Sequence, residues 1–531
     1  MPANAITTTP DTSDPVGGAI GRALAKVRRA SPIVDKTLRT YGRSSISDYG
    51  RCLLQPPPPS LQDTGDFIRT VRTLAGELFG EETADQLETD LQQNPVALTA
   101  NHHGVDYFAQ SVQGSLIFTW MQREICRRRS TALVLSCGNI PLNNLTNPQG
   151  MLLYDTRGGT AAALPRKLPV FSNKLRHQAV CVAPGYTPEM IARAAGTADR
   201  LHREKAISTE TCTCIKDLLA EDYGDPAIAA VPDYSRQATL LNHRICERLH
   251  AGCRRMPKVI CLEMEKVASR LIALDIQHEE RIVSRVLFDM DLQARVLRIL
   301  DSQRACWEHV KTPGPASDPD FPPLRRGTHF FWGICEEGVK FPLAIHRGRG
   351  SAALLRGADK KGRRHEYPLS PESLEMHLVQ RRLIPSMFTC FLALSLARGV
   401  NCLGGYYQAE YLPGIQAGMI QALSLSPGDR DMADTMRRVP TAGYLSGMQT
   451  VMIPQEHGRL LPAGPIEMLV RGGLTEIDVQ RILSMAVGDA HRASLLETAP
   501  DIAPEGAFGT SWKHRMAQES FNILQERVVV K

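Results

Sequence analysis

The chain has 531 residues, of which 43% are hydrophobic, 22% charged and 6% aromatic. These proportions exclude a wholly disordered, collagenous or disulfide-dense chain, and at about 100–200 residues per domain they allow three or so units with a large core. The 62 basic and 56 acidic residues leave a net charge of +6, too small an excess over this length to argue for nucleic acid.

Arg dominates the basic residues, 48 against 14 Lys. Its rigid fork suits carboxylates and phosphates, so a small acidic ligand is an open class. The 13 Cys are scattered without a CxxC pair, which excludes a zinc ribbon and a thioredoxin motif and fits a reducing cytoplasm. The longest apolar segment, 384–397, is too short to span a bilayer, which needs about 20 residues, and reads as a buried helix.

In chain order, residues 1–17 are rich in Thr, Pro, Ser and Asp and are expected to be mobile; they lack the charged-then-apolar order of a secretory signal. Residues 19–43 form a basic amphipathic stretch, either a docking helix or an ordinary surface helix. The proline run 56–59 reads as a stiff linker, closing an N-terminal extension over 1–60. Apolar residues at helical spacing mark 61–93.

Short apolar runs at 96–100, 132–136 and 178–183, with a helical segment at 108–129 between the first two, predict strands of an α/β layer with parallel pairing. Residues 186–311 read as mostly helical, including the apolar patterns of 259–274 and 286–307. Together 61–311 is expected to be an α/β core with a helical subdomain. After a Pro-rich linker at 314–323, the runs 328–334 and 339–345 and two strands flanking 359–362 predict an antiparallel meander. Ser370 and Pro371 open a helix, and helices dominate through 424 and again at 474–488. The region 324–531, meander plus buried helices, is expected to be packed on the core.

The strongest chemical signal is Asn101-His102-His103-Gly104-Val105-Asp106, at the end of the first apolar strand. The carboxyl ends of strands form the ligand crevice of open α/β sheets. A histidine there can act as base while a carboxylate fixes its tautomer, so His102 or His103 is the candidate base and Asp106 its orienting partner. Asn101 or the backbone amides of the turn would meet an oxyanion. The spacing HxxxD resembles the element of the acyl-CoA-dependent and peptide-condensing acyltransferases in which the histidine is the base. Here Tyr107 stands where that family usually has Gly and no DFGWG-like element follows, so the chain is not assigned to it.

The second strand ends in Cys137-Gly138-Asn139, followed by Asn143 and Asn144: a thiol that is either a nucleophile or simply buried, and amides suited to a polar ligand or to turns. Gln113, two helical turns beyond Asp106, is a further candidate for the cleft. Gln408 and Glu410 follow a Gly-Gly turn and offer groups that orient an amine or hydroxyl. Arg381, Arg382 and Arg398 flank the apolar segment 384–397, and Arg382 is the candidate clamp for an acidic group. No P-loop, GxGxxG or GxSxG motif is present, which weighs against nucleotide hydrolysis, dinucleotide redox chemistry and serine hydrolysis.

The expected function is therefore acyl transfer, or acyl or amide hydrolysis, on a polar or acidic small molecule with a histidine base and no cofactor. Two alternatives stand beside it. One is a metal-dependent hydrolase whose divalent ion is held by the His-His-x-x-Asp turn. The other is a non-catalytic ligand-binding or scaffold protein.

Overall fold

Five short segments, most of them apolar and buried on both faces, pair in parallel at the centre of the computed structural model of this chain. The structure describes residues 18–531 apart from 56–59, 127–128, 155–164, 312–323, 348–352, 456–457, 504–506 and 509–511. The predicted mobile terminus 1–17, the proline run and the 314–323 linker lie outside the described residues.

Across the sheet the strands run Tyr444–Ser446, Asn401–Gly405, Val96–Leu98, Thr131–Ser136, Lys258–Glu263, all parallel. Near-continuous apolar sequence such as Thr131–Ser136, buried throughout, is what a strand covered by helices on both faces requires. Val96 aligns with Asn401, and Thr131 through Ser136 align with Lys258 through Glu263. Helices Glu81–Gln93 and Ala109–Ile125 pack on strand Thr131–Ser136, and Tyr234–Leu249 and Met264–Asp275 pack on Lys258–Glu263. The fold is thus mixed α/β, with a parallel sheet, helical layers and small antiparallel sheets in the C-terminal region.

Strands at 96–100 and 132–136, the helices at 61–93 and 108–129, and the meander are where the sequence predicts them. Within the meander, Phe331–Ile334 pairs with Lys340–Pro342, and Leu354–Ala358 pairs with both Ala344–His346 and Arg364–Pro368. Ser370 caps Pro371–Val379 by accepting the N–H of Ser373 at 3.3 Å.

Four predicted elements differ in whole or in part. Residues 178–183 are not a strand but enclose a 3-10 turn, Val180–Val182; the amides of Ala179, Val180 and Cys181 bond to the Gly338, Ile140 and Gly138 carbonyls of two separate loops rather than to a ladder. The helical reading of 259–274 splits into strand Lys258–Glu263 and helix Met264–Asp275. Short apolar runs fit either period, and six aligned pairs with Thr131–Ser136 decide for the strand. The Gly-Gly turn at 404–405 belongs to a buried strand, Asn401–Gly405, where tertiary pairing overrides the poor strand propensity of Asn and Gly. The segment 384–397 is buried as predicted, but begins in strand Leu383–Pro385 before helix Met387–Phe391 and a π-helical turn, Leu392–Leu396.

At the N-terminus, helices Ala19–Ala30 and Pro32–Tyr41 bury Ile20, Leu24 and Val27 in a cluster with Leu495, Ala499 and Met516. The apolar face of the amphipathic stretch is therefore covered by the C-terminal helices of the same chain. Among the described residues, no helix is long and apolar enough to cross a membrane.

Candidate functional site

Beyond Leu98 the first strand keeps its partner for a few more residues. Cys137 N–H donates to the Asn101 carbonyl and His103 N–H to the Cys137 carbonyl, both at 2.8 Å, so His102 and Cys137 stand side by side in parallel register. Gly104, at φ +130°, then turns the chain beside Pro148, where a Cβ would come within 2.6 Å of the proline ring. His102 is half-buried, with Nδ1 3.4 Å from Thr146 Oγ1. Burial pushes its pKa down to about 4; the Asn144 side chain opposes this and the Lys340 ammonium adds to it. The ring is neutral at pH 7.

His103 diverges from its neighbour and is fully buried. Its Nε2 lies 3.0 Å from both the hydroxyl and the carbonyl oxygen of Ser235. Ser235 Oγ donates to Glu263 Oε2 at 2.5 Å, and Arg381 donates to the two Glu263 oxygens at 2.8 and 3.0 Å. Burial alone would raise the Glu263 carboxyl; Arg381 and His103 outweigh it and hold it below its usual range.

Asp106 does not pair with either histidine. Its carboxylate accepts from Asn101 Nδ2 at 3.1 Å, from the Phe108 N–H at 3.0 Å and from Ser111 Oγ at 2.6 and 2.7 Å. The turn at Gly104 carries it toward the start of helix Ala109–Ile125, where it takes up backbone and side-chain donors instead of orienting imidazole. Burial raises its carboxyl to about 6 against the pull of these bonds. Asn101 Nδ2 is accordingly spent on Asp106 and on Ser115, 2.9 Å away, while its Oδ1 is buried without a partner.

Cys137 donates its thiol to Glu265 Oε1 at 3.3 Å, and the same carboxylate accepts the N–H groups of Gly138 and Asn139 at 2.6 and 3.2 Å. Burial and the Glu265 charge push the thiol well above its ordinary range, and burial with the Glu263 charge raises Glu265. The thiol is held protonated. Asn139 Oδ1 accepts from Lys340 Nζ at 3.1 Å while its Nδ2 is buried without a partner. Asn144 accepts from Thr146 at 3.3 Å; Asn143 is exposed.

The remaining predicted residues lie elsewhere. Gln113 is buried and uses its whole carboxamide on the backbone of Thr450, Val451 and Ala463, which leaves nothing for a ligand. Gln408 ties Thr99 to the Cys402 carbonyl. Glu410 faces the N-terminal helices, accepting from Ser31 at 2.5 Å and Arg304 at 3.0 Å. Arg382 is exposed; its neighbour Arg381, set at φ +54°, is the one turned inward.

Sequence reasoning missed Glu263, Glu265, Ser235, Thr146 and Lys340. Glu263 ends a strand read as helix and Glu265 lies in the first turn of the helix after it, so only the strand period over 258–263 puts them at the sheet edge. Glu263, Glu265 and Arg381 line a cavity of about 290 Å³ whose wall includes Lys266 and Ile384.

Nor do the ligating atoms of His102, His103 and Asp106 converge. Among the described residues, three potential metal ligands meet only at Cys335, Glu337 and Asp359. There Arg363 and Lys361 already hold both carboxylates, Asp359 at 2.7 Å and Glu337 at 2.5 Å, so the group is an ion-pair cluster of the meander. No family model matches the chain, and no curated protein or solved structure matches it either.

Proposed function

We propose that this chain is a cytoplasmic enzyme of small-molecule metabolism, an acyltransferase-like transferase or an acyl or amide hydrolase, with His102 as its general base. The observation that carries the reading is the placement of His102. A neutral imidazole sits half-buried at the carboxyl edge of the central strand, held by Thr146 and Asn144 and level with Cys137. Thr146 and Asn144 take the orienting part first expected of Asp106.

A neutral ring accepts the proton of an attacking hydroxyl, amine or water while the carbonyl carbon becomes tetrahedral. The Lys340 ammonium, within electrostatic reach of the ring, favours the negative charge that develops on the carbonyl oxygen. The protonated Cys137 thiol lines the edge and is not the nucleophile. The cavity behind Glu265, the carboxylate that holds Cys137, carries Lys266, Arg270 and Arg381 beside Glu263 and Glu265, a mixed-charge wall that supports a polar small-molecule substrate. No metal or cofactor has a part in this scheme. The test is turnover of an acyl-ester and acyl-thioester panel by the wild type, His102→Gln and His103→Gln.

A second reading, a non-catalytic ligand-binding protein, is favoured by a different observation. Asp106 and Gln113 spend their polar atoms on internal partners, and His103 spends its Nε2 on Ser235. The two readings separate on the same panel, since a binding protein turns over nothing.

A further inference from the structure

A second cavity, of about 200 Å³, lies away from the sheet edge. Its wall is largely apolar, with Phe108, Leu145, Leu152, Leu461 and Leu496, but it also carries Glu497, Asp501 and Lys513, with Lys167 among the lining residues. Glu497 and Asp501 are one turn apart on helix Val487–Ile502. Tyr154 donates its hydroxyl to Glu497 Oε1 at 2.8 Å, and Gln449 Nε2 donates to Oε2. The Gln449 carboxamide is fully buried, and its Oε1 has no partner.

Lys513 lies 5.7 Å from the centre of the Trp512 ring; it feels both carboxylates and is desolvated beside them, yet among the described residues it closes no ion pair with either. Opposite charges that face one another across a partly dry gap without meeting are poorly compensated. A ligand that brings one charge of each sign relieves both sides. A fatty acid would compensate Lys513 and leave Glu497 and Asp501 unrelieved, and an alkylamine would relieve the acids and leave Lys513 uncompensated. Two acids and two lysines line the cavity, which favours a ligand charged at two points of opposite sign.

We propose that this cavity binds a small zwitterion with an apolar body, of the α-amino-acid class, its ammonium toward Glu497 and Asp501 and its carboxylate toward Lys513. Burial holds the Glu497 carboxyl at about 7, so an arriving ammonium finds a group ready to ionise. The proposal does not depend on the reading of His102.

The test is calorimetry on the full chain with L-leucine, L-methionine and L-phenylalanine, beside 3-methylbutylamine and 4-methylpentanoate, which keep the leucine body and one charge each. At least one amino acid is expected to bind, with the single-charge analogues weaker by roughly tenfold or more. Glu497→Gln should weaken the amino acid and leave 4-methylpentanoate no weaker; Lys513→Met should weaken the amino acid and leave the amine no weaker. Asp501→Asn, at an exposed position, carries the acidic arm if Glu497→Gln does not fold by circular dichroism. Absence of amino-acid binding to the folded wild type, an analogue as tight as the amino acid, or wild-type affinity in folded acidic-arm and Lys513 variants would each overturn the proposal.

Discussion

Arg398 and Asp275 form an ion pair with no solvent exposure on either side chain, with contacts of 2.6 and 3.0 Å. Asp66 approaches the same guanidinium at 3.5 Å, and Arg281 bridges Asp66 and Asp275 at 3.0 Å to each. Helices Thr64–Phe79 and Met264–Asp275 and the turn after Leu392–Leu396 therefore meet at one buried ion pair. Removing one partner leaves the other charged and dry, at a cost of about 3–5 kcal/mol. Arg398→Ala should lower stability by that amount in urea unfolding, whereas a loss below about 1 kcal/mol would mean that the pair is hydrated.

Truncation follows from sheet order. Strand Val96–Leu98 pairs on one side with Asn401–Gly405, itself beside Tyr444–Ser446. Ending the chain at residue 313 strips a central parallel strand of a neighbour and exposes its backbone edge. The expected product is insoluble or protease-sensitive; a soluble fragment with native-like circular dichroism would contradict the shared sheet.

Buried histidines set the acid limit of stability. His102, His250 and His491 are pushed down to about 4 and His329 to about 3, in each case first by burial. Each takes up a proton on unfolding between its folded value and about 6.5, so stability is present above that range and is lost as pH falls. Asp106 and Glu497, raised to about 6 and 7 by burial, act in the opposite direction between their unfolded and folded values. The four histidines outweigh the two carboxyls near pH 5–6, so unfolding takes up protons there and stability falls with pH, by on the order of 1–3 kcal/mol per pH unit. Urea titrations at several pH values check the sign, and a midpoint that rises as the pH is lowered from 6 to 5 would contradict it.

Thiol chemistry gives a quick check of the sheet edge. Cys52 is exposed while Cys137 is buried, protonated and bonded to Glu265. Iodoacetamide at neutral pH should label Cys52 readily and Cys137 slowly, read by peptide mass spectrometry. Fast labelling of Cys137 would make it a nucleophile after all.

The sequence made the centre of the fold legible where one signal stood alone. Apolar runs bounded by turn residues announced Val96–Leu98 and Thr131–Ser136, and alternation announced the meander. It failed where a run satisfied two periods, as at Lys258–Glu263, or where propensity pointed away from pairing, as at Asn401–Gly405. The candidate site inherits that division. His102 and Cys137 were found because they end visible strands. Glu263 at the end of the misread strand and Glu265 in the helix turn behind it were hidden together, and Arg381 was passed over for Arg382 because a left-handed residue in a loop decides which of two adjacent side chains turns inward. The HxxxD spacing suggested a pair that the Gly104 turn separates, since spacing alone carries no direction.

The account rests on His102 as the base, and the pH dependence of turnover in wild type and His102→Gln measures that most directly. On the acyl panel, kcat/KM of the wild type should fall on the acid side near pH 4, where the ring protonates, and hold from there to neutral pH. His102→Gln should lose roughly 100-fold or more, while His103→Gln, if folded, should keep the same acid limb. Turnover by His102→Gln at the wild-type rate, with the acid limb in place, would contradict the account.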